Sequence, residues 1–236
     1  MKQVIGAAAA VICLLAAGAA SAHHIWLEPD GAGLRLSFGE FGDNLRETSP
    51  GLLDKVEPQA RIAAEGAGRP LALSKSSNGF AVAIEATPSG AVVAEDVRYP
   101  IFERKGEGGT TRSVWWPAAR FAASAAPVKP VLTLDVVPAG DGRYRVFFQG
   151  KPLPKAKVEV IAAFGWTKEA RTDESGSFAV ALPWRGLYAF EVHHIDKAAG
   201  KRGDEAYDSA NYVTTLTYVQ PSGLDMPPLP PAAKPN

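Results

Sequence analysis

Ala156-Lys157-Val158-Glu159-Val160-Ile161 alternates apolar and polar residues, and Thr172-Asp173-Glu174-Ser175-Gly176 then turns the chain into Ser177-Phe178-Ala179-Val180-Ala181-Leu182. A period of two with Asp/Gly punctuation is the signature of short strands joined by tight turns. The pattern continues outward. Upstream stand Val131-Leu132-Thr133-Leu134-Asp135-Val136-Val137 and Arg143-Tyr144-Arg145-Val146-Phe147-Phe148, with Gly150-Lys151-Pro152-Leu153-Pro154 as a turn. Downstream, Leu187-Tyr188-Ala189-Phe190-Glu191-Val192-His193-His194 and Asn211–Val219 read as strands. Such a series predicts an all-β chain of the β-sandwich type.

The first half is weaker but of the same kind. Segments 34–38, 60–64, 71–73, 80–84 and 91–94 are expected strands, and 50–56 one short helical turn. Glu103–Gly109 is polar and Gly-rich, which predicts a hairpin loop. Ala118–Pro130 is Ala-rich and ends Pro127-Val128-Lys129-Pro130, which predicts an interdomain linker or the entry to an edge strand. The expected organisation is a signal segment 1–22, an N-terminal β domain 23–130, a second sandwich 131–220 and a Pro-rich tail 221–236. The tail holds Pro227-Pro228-Leu229-Pro230-Pro231 and is expected to stay outside any sheet, draped or disordered.

Composition narrows the function. The 236 residues hold 25 Lys plus Arg and 25 Asp plus Glu. That balance excludes a nucleic-acid binder working through a basic surface. The chain opens with a basic Lys2, an apolar run to Ala20 and Ala20-Ser21-Ala22, the three-part pattern of an export signal. Cleavage after Ala22 would remove Cys13, the one cysteine, so no disulfide is expected. It would also remove Lys2, leaving 24 basic residues against 25 acidic ones. The expectation is a soluble periplasmic protein that starts at His23 with a free α-amine.

All four histidines occur as two doublets, His23-His24 and His193-His194. An α-amine is acidic enough for a metal to displace its proton near neutrality. Two chelates follow. In one, the amine and the His23 ring clamp an ion with a third nitrogen from elsewhere, a brace that suits copper. In the other, the amine, the His24 backbone nitrogen and the His24 ring form a plane that suits Ni(II) or Cu(II). Alternation puts His194 on the face of Tyr188, Phe190 and Val192, and His193 on that of Ala189 and Glu191. His23, His24, His193 and His194 are the candidate metal ligands, with the choice between His193 and His194 open. Glu28, Asp204, Glu205 and Asp208 could supply oxygen ligands or orient the histidines from behind, but each reads first as solvated loop charge. The tryptophans read as core filling, and no hydrolase elbow or nucleotide loop is present.

Ala22-His23-His24-Ile25-Trp26-Leu27-Glu28-Pro29 resembles the AH-x-x-W-L-x-P start of an exported bacterial family commonly described as a periplasmic component of cobalt or nickel uptake. Gly150–Val158, Thr172–Phe178 and Gly186-Leu187-Tyr188 resemble that family's transthyretin- or immunoglobulin-like module. The resemblance covers most of the processed chain. It implies a metal carrier, with nickel or cobalt as cargo and an envelope transporter or outer-membrane receptor as partner, and no catalysis. Nickel-capture subunits use an N-terminal amine and a histidine at the second processed position, which His24 would occupy; this chain lacks the transmembrane helices that follow there. The alternatives are a sandwich binding a non-metal ligand or serving adhesion, and a copper histidine-brace protein.

Overall fold

The computed structural model describes residues 23–64, 66, 68–84, 91–106 and 109–236; the segment 1–22, expected to be an export signal, lies outside them. The fold is all-β. Among the described residues the one helical element is a 3-10 turn, Leu52–Lys55, where a turn was expected. None is long and apolar enough to cross a membrane.

A ten-stranded sheet forms the middle of the molecule. Its order is Thr167–Arg171, Lys157–Ala162, Trp184–Asp196, Ser209–Gln220, Gly109–Ala122, Val92–Glu95, Gln59–Ile62 and Arg69–Leu71, with Phe102–Gly106 and Leu224–Asp225 attached at the sides. Ser209–Gln220 and Gly109–Ala122 run parallel, from Ser113 opposite Ser209 to Ala122 opposite Tyr218. The sheet therefore takes strands from both sides of position 130.

Two smaller sheets cover its opposite faces. A five-stranded sheet built on His24–Asp30 and Gly33–Glu40 covers one. There Ile25, Leu27, Leu36 and Phe38 pack against Val92, Ala119, Phe121 and Val213. A four-stranded sheet built on Leu134–Gly140 and Arg143–Phe148 covers the other, packing Val136, Tyr144 and Val146 against Val160, Phe190 and Leu216. The strand Ser209–Gln220 is thus buried on both faces. Val213 belongs to the first core and Tyr212, Leu216 and Tyr218 to the second. Residues on both sides of such a strand must be apolar or have their polar atoms bonded. Thr215 and Thr217 meet that demand by donating to the Ile25 and Leu27 carbonyls, at 2.8 and 2.5 Å.

Three local expectations need correction. Ala118–Ala122 is sheet rather than linker, because Phe121 and Ala119 face the first core. The expected hairpin at Glu103–Gly109 is present, but Phe102–Gly106 is paired strand and not loop, with Thr110 opposite Lys105. The tail does reach a sheet: Leu224–Asp225 pairs with Trp184 and Arg185 ahead of the Pro227–Pro231 run. The tryptophans do fill cores. Trp26 and Trp115 are buried, and Trp116, Trp166 and Trp184 pack against the second core.

A buried ion pair ties the central sheet to the four-stranded sheet. Arg120 donates to Asp135 through Nε at 2.9 Å and Nη2 at 2.5 Å. Asp135 also accepts the Val131 and Leu132 N–H groups, at 2.8 and 3.1 Å. Two charges this deep are tolerated because each is bonded; removing one partner alone would strand the other.

Candidate functional site

The site lies where the strand His24–Asp30 crosses the central sheet. Gly39 sits opposite His24 in the ladder, at φ +145°. A Cβ there would stand 2.3 Å from the Leu45 carbonyl, so only glycine lets Leu45–Arg46 close against this strand. That closure brings Glu47 to the site.

His24 is buried, 3% exposed. Its Nε2 accepts the Phe41 N–H at 3.2 Å, which fixes the proton on Nδ1, 3.2 Å from Glu191 Oε2. The ring leans on Trp26. Glu191 reaches the other doublet as well, since its Oε1 bonds His193 Nε2. One carboxylate therefore joins a histidine from each end of the chain. Burial pushes the Glu191 carboxyl up, but His24 and His193 outweigh it and hold it well below the usual carboxylate range.

His23 occupies a second acidic setting. Its Nε2 donates to Glu47 Oε1 at 2.6 Å, and its Nδ1 faces Glu40 Oε1 at 3.5 Å. Glu47 is fully buried. It is also bonded from the far end of the chain. The Asn236 backbone N–H donates to Oε2 at 3.1 Å and its side-chain amide to Oε1 at 2.9 Å. The tail passes nearby, with Asn44 donating to the Pro230 carbonyl at 2.8 Å.

The alternation argument separates His193 and His194 as expected. His193 lies with Glu191 on the His24 side. His194 turns to the opposite face, its ring 4.3 Å from Phe148. Burial pulls the His194 pKa below the ordinary histidine value. The doublets thus meet through His24 and His193, while His194 stays apart from them. Among the described residues no group of three or more His, Cys, Asp or Glu is placed to hold a metal ion.

The acids expected to be solvated divide. Glu28 is buried. Its carboxylate accepts Ser37 at 2.7 Å and Arg46 at 2.9 and 2.7 Å, so it is a structural partner and not loop charge. Burial raises its pKa, but Arg46 outweighs burial and leaves it low. Asp208 accepts the Arg112 N–H at 2.7 Å and Glu205 faces the Arg112 guanidinium at 3.5 Å. Asp204 is exposed. Sequence reasoning missed Glu40, Glu47 and Glu191. For Glu191 a signal existed, an acid within an otherwise apolar strand.

The fold and this cluster define an all-β sandwich with a carboxylate–histidine cluster at the start of its first strand. A family model described as a domain of unknown function (DUF4198) matches residues 132–196. The match includes Glu191, His193 and His194 and leaves the Ala22–Pro29 stretch outside. No curated protein matches the chain, and no solved structure does.

Proposed function

We propose that the protein is an exported, periplasmic carrier of a divalent transition metal, serving nickel or cobalt uptake through an envelope transporter, and that it performs no catalytic step. The observation that carries the reading is the setting of His23. Its Nε2–H is bonded to the buried Glu47, which leaves Nδ1 facing Glu40. A carboxylate on one imidazole nitrogen orients the ring and raises the basicity of the other nitrogen. Cleavage after Ala22 would add the His23 α-amine, which forms a six-membered chelate with the Nδ1 of the same residue. Amine, Nδ1 and the Glu40 carboxylate are the donor set.

This favours the clamp of the first chelate, amine and His23 ring, with the Glu40 carboxylate in place of a third nitrogen. The planar scheme would pull the His24 ring from the Phe41 N–H and from Glu191, at the cost of two buried hydrogen bonds. His24 and Glu191 instead serve as the base on which the processed end is held. Nickel, cobalt and copper are all served by nitrogen donors, with copper the strongest of the three in simple affinity.

Calorimetric titration of the exported protein with Ni(II), Co(II) and Cu(II) tests the proposal. Saturable binding that is lost when one residue is added before His23 supports the amine as a ligand. Glu40→Gln should weaken binding about tenfold or more, and His194→Gln should leave it unchanged. An exported protein that binds none of the three ions would overturn the reading.

A further inference from the structure

A second feature stands beside His23 and does not depend on metal. Five rings follow one another along the outer edge of the first core. His23 lies 5.2 Å from Phe38, and Phe38 lies 5.9 Å from Trp115. Trp115 meets Tyr99 edge to face at 4.5 Å, and Tyr99 lies 5.5 Å from Phe102. With Leu52 these rings line a cavity of about 290 Å³. Phe102, the first residue of its strand, is 49% exposed. Aromatic area left in water beside a cavity marks a binding surface.

The charges around the cavity have one sign in excess. His23 stands between the Glu40 and Glu47 carboxylates, so even a protonated ring leaves this wall negative. Asp96, fully buried, is bonded to the Glu57 and Arg98 N–H groups, both at 2.8 Å. The Arg98 guanidinium is turned to Glu57, 3.7 Å away. The Tyr99 hydroxyl registers this field: burial raises its pKa first, and the charges of Asp96 and Glu47 raise it further. Arg202 is near but engaged by the Tyr99 carbonyl at 2.7 Å, the Val97 carbonyl at 3.5 Å and Glu205. Among the described residues that line the pocket there is no Lys or Arg.

We infer that this open aromatic pocket binds a small alkylammonium ion. Ring faces carry negative charge and attract a cation that water solvates poorly, which is how quaternary ammonium groups are recognised. The other ligand classes fit less well. A sugar, which needs many polar partners, would find no carboxylate, amide or guanidinium among the described lining residues, and an anion would meet Glu40 and Glu47. A neutral apolar molecule would gain from the walls but nothing from the field.

The test uses exported protein in EDTA, so that no metal contributes. Tetramethylammonium is titrated while tryptophan fluorescence, to which Trp115 contributes, is followed, with calorimetry as the second readout. The neutral control of similar size is 2,2-dimethylpropanol. The expected result is saturable binding of the cation, with the alcohol at least fivefold weaker. Phe102→Leu keeps an apolar rim and removes the ring, and the exposed site should tolerate it. It should weaken the cation about two- to fivefold, the size of one partly exposed cation–π contact, and leave the alcohol unchanged. Equal binding of cation and alcohol, no saturable cation binding, or indifference to Phe102→Leu would each overturn the inference. None of these results bears on metal binding at the amine, which is measured separately.

Discussion

Asp135 and Glu191 are both buried carboxylates that join one sheet to another, yet they are held by different kinds of partner. Asp135 meets a guanidinium, which keeps its charge at every accessible pH, and two backbone N–H groups. Glu191 meets two imidazoles, His24 and His193, one through each carboxylate oxygen. The first arrangement is a permanent clamp. The second joins His24 in the first strand to His193 in the central sheet through one carboxylate, and it lies beside the residue to which we assign binding.

The comparison can be broken most forcefully at Arg120. Arg120→Met should cost about 3–5 kcal/mol in denaturant unfolding, because it strands the Asp135 charge. Adding Asp135→Leu should recover most of that loss; a single variant costing under about 1 kcal/mol would deny that the pair is a clamp. Glu191→Gln should cost less, about 1–3 kcal/mol near pH 6. The sign of its pH dependence follows from the lowered Glu191 pKa. The native carboxylate contributes fully above its unfolded value of about 4.5 and loses that contribution as pH falls toward the lower folded value. The gap between wild type and Glu191→Gln should therefore narrow below about pH 4.5, and a gap of constant size would contradict the assignment. The smallest effect belongs to His194. Its ring signals in NMR should titrate with a midpoint below the ordinary 6.5, since burial opposes its charge. The folded state accordingly loses stability as pH drops through that ordinary value. A midpoint above it would place His194 among the acids instead of against Phe148.

Much of this was open to reading in the chain itself. Strict alternation from Leu187 to His194 separates the last two histidines onto opposite faces, and the strand keeps that order because Tyr188, Phe190 and Val192 must all enter one core. The β-branched run in Ser209–Gln220 announces a strand, although its burial on both faces becomes visible only with a sheet on each side. The acids were hidden for another reason. Residues 23, 40, 47 and 191 share no spacing; Glu47 reaches His23 because two residues, Leu45 and Arg46, pair with the end of Gly33–Glu40. His24–Asp30 went unread as a strand because its donors drew attention to chemistry, while Ile25 and Leu27 supply the apolar face that makes it one. Ala118–Ala122 was misread because alanine reports on neither face.

The parallel pairing of Gly109–Ala122 with Ser209–Gln220 joins segments 96 positions apart. The matched stretch 132–196 stops at Asp196, the last residue of a strand whose eleven paired positions all face residues 210–220. Cut out alone, that stretch would present a long bare edge, open to pairing with its own copies. Contacts so remote in sequence also slow assembly, so the interior must wait for nearly the whole polypeptide before it can close.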